Sequence, residues 1–296
     1  MNGILLFDKP AGLSSNQALQ RVKWLYNARK AGHTGSLDPL ATGLLPICFG
    51  EATKVAGFLL DADKKYQIRC RLGQTTTTGD SEGALLQDLP VQVSAEQIDQ
   101  ALQQFLGESM QVPPMFSALK KDGVRLYELA RQGKEVHREP RSIRISSVTL
   151  LSVDLPFVDF EVSCSKGTYV RVLVEDLGAK LGCGGHVTAL RRLELGGFTD
   201  PKMMSLPQLE ELAQEADPYK TLDSLLLPND EALSHWPSVL LSPDISFYVC
   251  QGQAVLVPHL PRSGKVKLYN RESMQFLGMG EILDDGRVAP CRLFSA

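Results

Sequence analysis

One carboxylate, Asp38, stands in the segment GHTGSLDPLATG (residues 32–43) among three glycines, three hydroxyl side chains and a lone histidine, His33. Pro39 bars Asp38 from a helix interior and biases it toward extended backbone. Gly32, Gly35 and Gly43 permit turns and close approach by another molecule. The residues describe a shaped loop that presents one acid to a partner. Asp-Pro is also a plain turn pair, so a mere connection is the competing local reading. Metal chemistry finds no support. The six cysteines (Cys48, Cys70, Cys164, Cys183, Cys250, Cys291) are scattered, with no C-x-x-C pair and no histidine at ligand spacing, so reduced core thiols are expected.

The elements that must position this loop belong to an ordinary globular chain of 296 residues, 43% hydrophobic and 22% charged. That length suggests two domains and allows a sizeable core. No apolar run approaches the roughly 18 residues that span a bilayer, and the opening MNGILLFDKP lacks a leader, so a soluble cytoplasmic protein without membrane contact is expected. Net charge of −3 argues against a nucleic-acid partner until its distribution is read. Residues 120–144 hold eight basic side chains against four acidic ones, and residues 1–30 hold five against one, each a local +4. Residues 201–235 carry −5. Such runs serve as solvated faces or as partner sites.

Alternating elements follow along the chain. Residues 3–7 form a short apolar strand; Ser14 or Ser15 caps a helix with Ala18, Val22, Leu25 and Tyr26 on one side. Val55, Phe58 and Leu59 mark a second short helix. Tyr66, Ile68, Cys70 and Leu72 alternate with polar residues, which predicts a half-buried strand that opens on a tyrosine. A capping box at Ser94–Gln97 starts another helix. Residues 143–153 and 158–164 read as strands, and 169–181 as a helix with Arg171 in its first turn. A helix over 205–216 precedes a proline-punctuated stretch; from about residue 245, strands at Val249, 254–257, 266–268, 276–278 and 287–293 are expected.

Five blocks in order carry a resemblance: GILLFDKPAGLSS, AGHTGSLDPLATGLLPICFGEATK, KKYQIRCRLG, CSKGTYVRVLVEDLG and GCGGHVTALRRL, with GMGEILDDGRVAPCRL near the C-terminus. The chain resembles the TruB family of tRNA pseudouridine-55 synthases from residue 3 to about 200 and again near its end. The resemblance implies an α+β catalytic domain over 1–235, built on a mixed, mainly antiparallel sheet with flanking helices, with a basic RNA-clamp insertion at about 113–144. A small β domain over 236–296, similar to PUA modules, would follow. The implied reaction cuts the N1 glycosidic bond of one uridine in the tRNA T loop, rotates the uracil and rejoins it through C5, with no cofactor or metal.

By match to the motifs, Asp38 would be the nucleophile at ribose or uracil, or the base at C2′. Arg171 would pair with it bidentately, lower its pKa and offset the cost of burying it. Tyr66 would stack on the extruded base and serve proton transfer, while Tyr169 and Leu190 shape the pocket. His33 would fill the gap the flipped uridine leaves. Lys9 and Pro10 read as scaffold beside the substrate contacts. Asp80 keeps its place although Thr76-Thr77-Thr78 departs from the family's Thr-Asp-Thr. Lys120, Lys121, Arg125 and Arg131 would clamp RNA backbone. A stand-alone monomeric enzyme on tRNA is expected, with no obligatory protein partner. The alternatives are a guide-RNA-dependent subunit and a noncatalytic tRNA-folding chaperone.

Overall fold

The computed structural model describes residues 1–199, 201–258 and 260–294. Its largest sheet has nine strands. From one edge they run Met204–Ser205, Gly3–Lys9, Thr42–Phe49, Gly185–Leu195, Lys64–Leu72, Phe157–Cys164, Arg141–Asp154 and Gly107–Gln111, with Ala31–His33 pairing against Thr42–Phe49. Two pairings are parallel, Gly3–Lys9 with Met204–Ser205 and Gly185–Leu195 with Thr42–Phe49; the others are antiparallel. This is the mixed, mainly antiparallel α+β architecture expected.

Both faces of the central strands are covered. Leu5 and Phe7 face one core cluster with the helix Ser15–Leu25 and the helix Val170–Lys180, whereas Ile4 and Leu6 face a second with Leu44, Leu59, Leu233 and Met279. That two-sided burial explains why residues 3–7 read as an unbroken apolar run. Met279 lies in the C-terminal sheet, so the second cluster seats that sheet on the first domain.

The glycine-rich segment holds more regular structure than its composition suggests. Ala31–His33 and Thr42–Phe49 flank residues 34–41, and the second of these strands contains Pro46. A proline inside a sheet removes a ladder donor. Here Gly185–Leu195 reaches only Thr42 and Gly43 on that side, while Ala31–His33 joins at Ile47 to Phe49, so Pro46 falls in the gap between them. The missing N–H has no ladder partner to lose.

The C-terminal region departs from expectation at Val249. Pro243–Cys250 is a helix, because Ser242 caps it, Pro243 enters at its first turn, and Ile245 and Val249 share one inward side. The strand of that region comes earlier, at Ser238–Leu241, and heads a five-stranded sheet. The proline-punctuated stretch also folds, into the helix Pro218–Ser224 and a 3₁₀ turn at Asn229–Leu233. All six cysteines are free thiols; Cys48, Cys70, Cys164 and Cys183 are buried as expected, but Cys250 and Cys291 are exposed. Among the described residues no helix is long and apolar enough to cross a membrane.

Candidate active site

The loop that bears Asp38 is held at several points that do not involve its carboxylate. Ser15, 3% exposed at the start of its helix, donates to the Leu37 carbonyl (3.0 Å) and accepts from the Leu37 amide (2.7 Å). Gly12 donates its amide to the Pro39 carbonyl at 2.8 Å. Gly43 closes the loop at φ +95°, where an added Cβ would stand 2.3 Å from the Arg192 carbonyl oxygen. These ties fix the loop backbone without using the carboxylate.

Lys9 lies beneath, fully buried, and its Nζ donates to the carbonyls of Ala41 (2.7 Å), Pro10 (2.9 Å) and Pro39 (3.3 Å). Burial lowers its pKa to about 8. Lys9 is therefore scaffold for the loop, and it does not line the cavity as a substrate contact would. Lys9→Met orphans loop carbonyls, and a loss of about 2–4 kcal/mol in urea unfolding is expected. An unchanged urea midpoint would remove Lys9 from this role.

Asp38 meets Arg171, the second residue of the helix Val170–Lys180, with Arg171 Nε 2.9 Å from Asp38 Oδ2. The expected bidentate fork is absent. Nη1 donates to the Thr78 carbonyl and Nη2 to the Phe116 carbonyl, each at 2.8 Å, so one nitrogen alone serves the carboxylate. Asp80 Oδ2 stands 3.7 Å from the same Nε, and Asp80 Oδ1 is held by the Thr78 hydroxyl at 2.5 Å and the Glu82 amide at 3.1 Å. One guanidinium thus ties together the aspartate loop, the threonine turn and the basic insertion.

The net electrostatics also differ from expectation. Burial pushes the Asp38 pKa up, and the neighbouring Asp80 carboxylate adds to this, while Arg171 and Lys9 pull it down. The balance stays above the ordinary carboxylate range. The cation moderates the shift and does not reverse it. The side chain keeps 39% of its surface exposed, so it remains accessible from the cavity.

That cavity, of 200 Å³, brings Asp38, Tyr66, Tyr169, Arg171 and Leu190 together, with Ser117 from the basic insertion. Tyr66 opens inward from the strand Lys64–Leu72 at 9% exposure, and burial raises its pKa. Tyr169 caps the arginine helix. Gln111 grips its backbone from both sides, at 2.8 and 3.1 Å. A wider cleft of 930 Å³ adjoins it and is lined by His33, Asp80, Lys120, Arg125 and Arg131. His33 ends its short strand, and burial with the nearby Arg192 lowers its pKa, favouring the neutral ring.

The insertion folds as a hairpin, Lys120–Lys121 with Val124–Arg125, followed by the helix Leu126–Arg131. Lys121 does not line the cleft; its ammonium donates to the His137 carbonyl at 3.0 Å. Tyr127 does line it, with Arg125 and Arg131 over its ring at 5.9 and 5.5 Å. Tyr127 is a residue that sequence reasoning missed, although the interleaving of an aromatic ring with arginines in VRLYELAR is a signal that could have found it. Among the described residues no group of three or more His, Cys, Asp or Glu side chains is placed to hold a metal.

The site is thus a carboxylate and a cation walled by two tyrosines and a leucine, beside a basic cleft. Residues 23–170 match the N-terminal domain of TruB family pseudouridylate synthases. Residues 171–234 match the tRNA pseudouridylate synthase B C-terminal domain, and 237–294 match the pseudouridine synthase II TruB C-terminal description. The chain belongs to the TruB family. It is 54% identical over 293 residues to tRNA pseudouridine synthase B of Pseudomonas aeruginosa, covering 99% of this chain and 96% of that protein. To the protein of that name from Tolumonas auensis it is 53% identical over 298 residues, covering 99% and 92%. The solved Cbf5-Nop10-Gar1 complex contains a chain that aligns at TM-score 0.76 and 24% identity, over 99% of this TruB-family chain and 84% of its own length. At that identity the likeness is one of fold.

Proposed function

We propose that this protein converts uridine 55 of the tRNA T loop to pseudouridine, acting alone in the cytoplasm. The observation that carries the reading is the Asp38–Arg171 pair inside a cavity walled by Tyr66, Tyr169 and Leu190. Two hundred cubic ångströms accommodate a single extruded base with room for its sugar carbon at the carboxylate. A uridine within a folded T loop must leave its stack to reach that cavity, at an unstacking cost of a few kcal/mol. His33, flat and at the cleft wall, takes the vacated position, and stacking on Tyr66 returns about 1–3 kcal/mol.

Among the described residues Asp38 is the only carboxylate lining the smaller cavity, and attack at C1′, attack on the uracil and removal of the C2′ proton would all use it. Each demands the ionised form, which Arg171 favours against burial. The base is held for rotation by the tyrosine and leucine walls, so that C5 replaces N1 at the same sugar carbon. The cleft cations receive phosphates on either side of the flipped nucleotide. The boundary near residue 235 would then separate this catalytic domain from a small PUA-like module.

Incubating the purified protein with one unmodified tRNA transcript and mapping pseudouridine tests the reading. Modification at position 55 alone, without added RNA or protein, is the expected result. Modification only with a guide RNA would support the guide-dependent alternative, and binding without modification would support the chaperone. Replacing Lys120, Arg125 and Arg131 with glutamine should lower the slope of log affinity against log salt by roughly 2, at about 0.7–0.9 per phosphate contact. Adding Lys121→Gln should change it no further. An unaltered slope for the triple variant would return these cations to solvated surface.

A further inference from the structure

Arg192 heads the largest fully buried side chains, at 1% exposure, yet it makes no ion pair with a carboxylate among the described residues. A guanidinium removed from water without a counter-ion is costly to hold, and such a group marks a site kept for a purpose. Its place is specific. On the strand Gly185–Leu195 it stands in register with Tyr66 on one side and Gly43 on the other. Nε donates to the Leu44 carbonyl at 2.6 Å and Nη2 to the Gly35 carbonyl at 3.3 Å, and the guanidinium's charge acts on Tyr66, its register partner on the neighbouring strand. Leu190, two residues earlier on the same face, walls the cavity.

The surroundings leave that charge uncompensated. Lys9, His33 and Lys64 are the titratable groups that feel Arg192 from the first strand, the aspartate loop and the tyrosine strand, and it disfavours a proton on each. Tyr66 is faced by Cys164 from the adjacent strand and by Asp38 from the loop, both of which oppose negative charge on its oxygen. Burial opposes it most, and among the described residues that act on Tyr66 Arg192 alone favours it.

We propose that Arg192 is a positioning residue for the isomerisation, fixing the Tyr66 hydroxyl relative to the Gly35 turn of the aspartate loop and supplying the positive charge under which the Tyr66 oxygen accepts the proton from C5. This rests on the reading of the cavity as a uridine pocket. In the step concerned, Tyr66 has given its phenolic proton to solvent. Once C5 is joined to C1′, the phenolate takes the C5 proton and becomes the neutral phenol. The C5–H electron pair forms the C5–C6 double bond, the C6–N1 pair returns to N1, and N1 takes a proton from water.

The test compares full-length wild type, R192M, R192K, Y66F and R192M/Y66F on an unmodified tRNA transcript under single turnover, with tRNA affinity measured in parallel. R192M is expected to lose about 100-fold in rate with affinity changed by less than about threefold, and R192K to recover about tenfold of that loss. R192M/Y66F is expected to be no slower than Y66F, within about threefold, because the arginine acts through the tyrosine. Both rates should rise from about pH 7 to about pH 9.5, because burial holds Tyr66 mostly as the phenol in each protein, and R192M should rise at least as steeply as wild type. A wild-type rate in R192M, losses that multiply in the double variant, or rates that do not rise with pH would overturn the proposal while leaving the pocket reading intact. If R192M does not fold by circular dichroism, R192Q replaces it, and R192K no faster than R192Q overturns the proposal. A wild-type protein that forms no pseudouridine overturns both.

Discussion

Asp38→Asn is expected to lower the single-turnover rate of pseudouridine formation by at least about four orders of magnitude while tRNA affinity stays within about threefold. Asparagine keeps the size of aspartate and an oxygen that can accept from Arg171 Nε, now 2.9 Å from Asp38 Oδ2. What it lacks is the charge and nucleophilicity that every route at the sugar or base requires. The loop would not collapse, because Ser15 and Lys9 hold it through the backbone of Leu37, Pro39 and Ala41. Affinity would persist because Lys120, Arg125 and Arg131 at the cleft are untouched. Quantifying pseudouridine at position 55 alongside filter binding checks both halves. Turnover within tenfold of wild type would remove Asp38 from the chemistry.

The parts of this site legible in sequence are those that local pattern fixes. Tyr66 could be placed because alternation through Leu72 put it on the buried face of a strand, and that face is indeed the core side. Arg171 could be placed in a first helical turn because Val170, Leu173, Val174 and Leu177 recur at helical spacing, and all four are buried. Their meeting with Asp38 was available only through family resemblance, since the contact joins residues 133 positions apart in the chain. The division of the Arg171 guanidinium among Asp38 and two carbonyls was not legible at all. Carbonyls carry no residue identity, so Phe116 gave no sign of its part.

Arg192 and Val249 show two further kinds of loss. Arg192 sits in ALRRL beside Arg191, which forms a two-pronged ion pair with Asp8 at 2.9 and 2.8 Å. Alternation predicts that the two point to opposite faces, but not which face is buried, because only sheet order decides that. At Val249 the β-branched residue suggested a strand, while Ser242 and Pro243 seven and six residues earlier supplied a helix start that outweighed it. Charge was readable in its clustering and less so in its aim. The basic run gave the insertion, but the hairpin turns Lys121 away from the cleft to which Lys120 and Arg125 contribute.

Arg171→Met is expected to slow the reaction at neutral pH by about three orders of magnitude and to move the acid limb of its pH profile upward. In the native site burial and Asp80 raise the Asp38 pKa, and Arg171 is the largest influence opposing them. Without the guanidinium the weaker pull of Lys9 remains among the described residues, so Asp38 holds its proton to higher pH. Activity needs the ionised carboxylate and is lost as pH falls through the folded pKa. Raising that pKa must therefore move the limb to higher pH. Arg171→Lys keeps a charge but cannot reach Asp38 and the carbonyls of Thr78 and Phe116 at once, so a smaller displacement and partial activity are expected. Both variants should also lose about 2 kcal/mol in urea unfolding from the orphaned carbonyls. Single-turnover rates measured from about pH 5 to pH 9 separate the effects, because a purely structural loss lowers every point equally. An acid limb that stays in place in Arg171→Met would mean that Asp38 is kept ionised by the bound RNA site as a whole and not by this one cation.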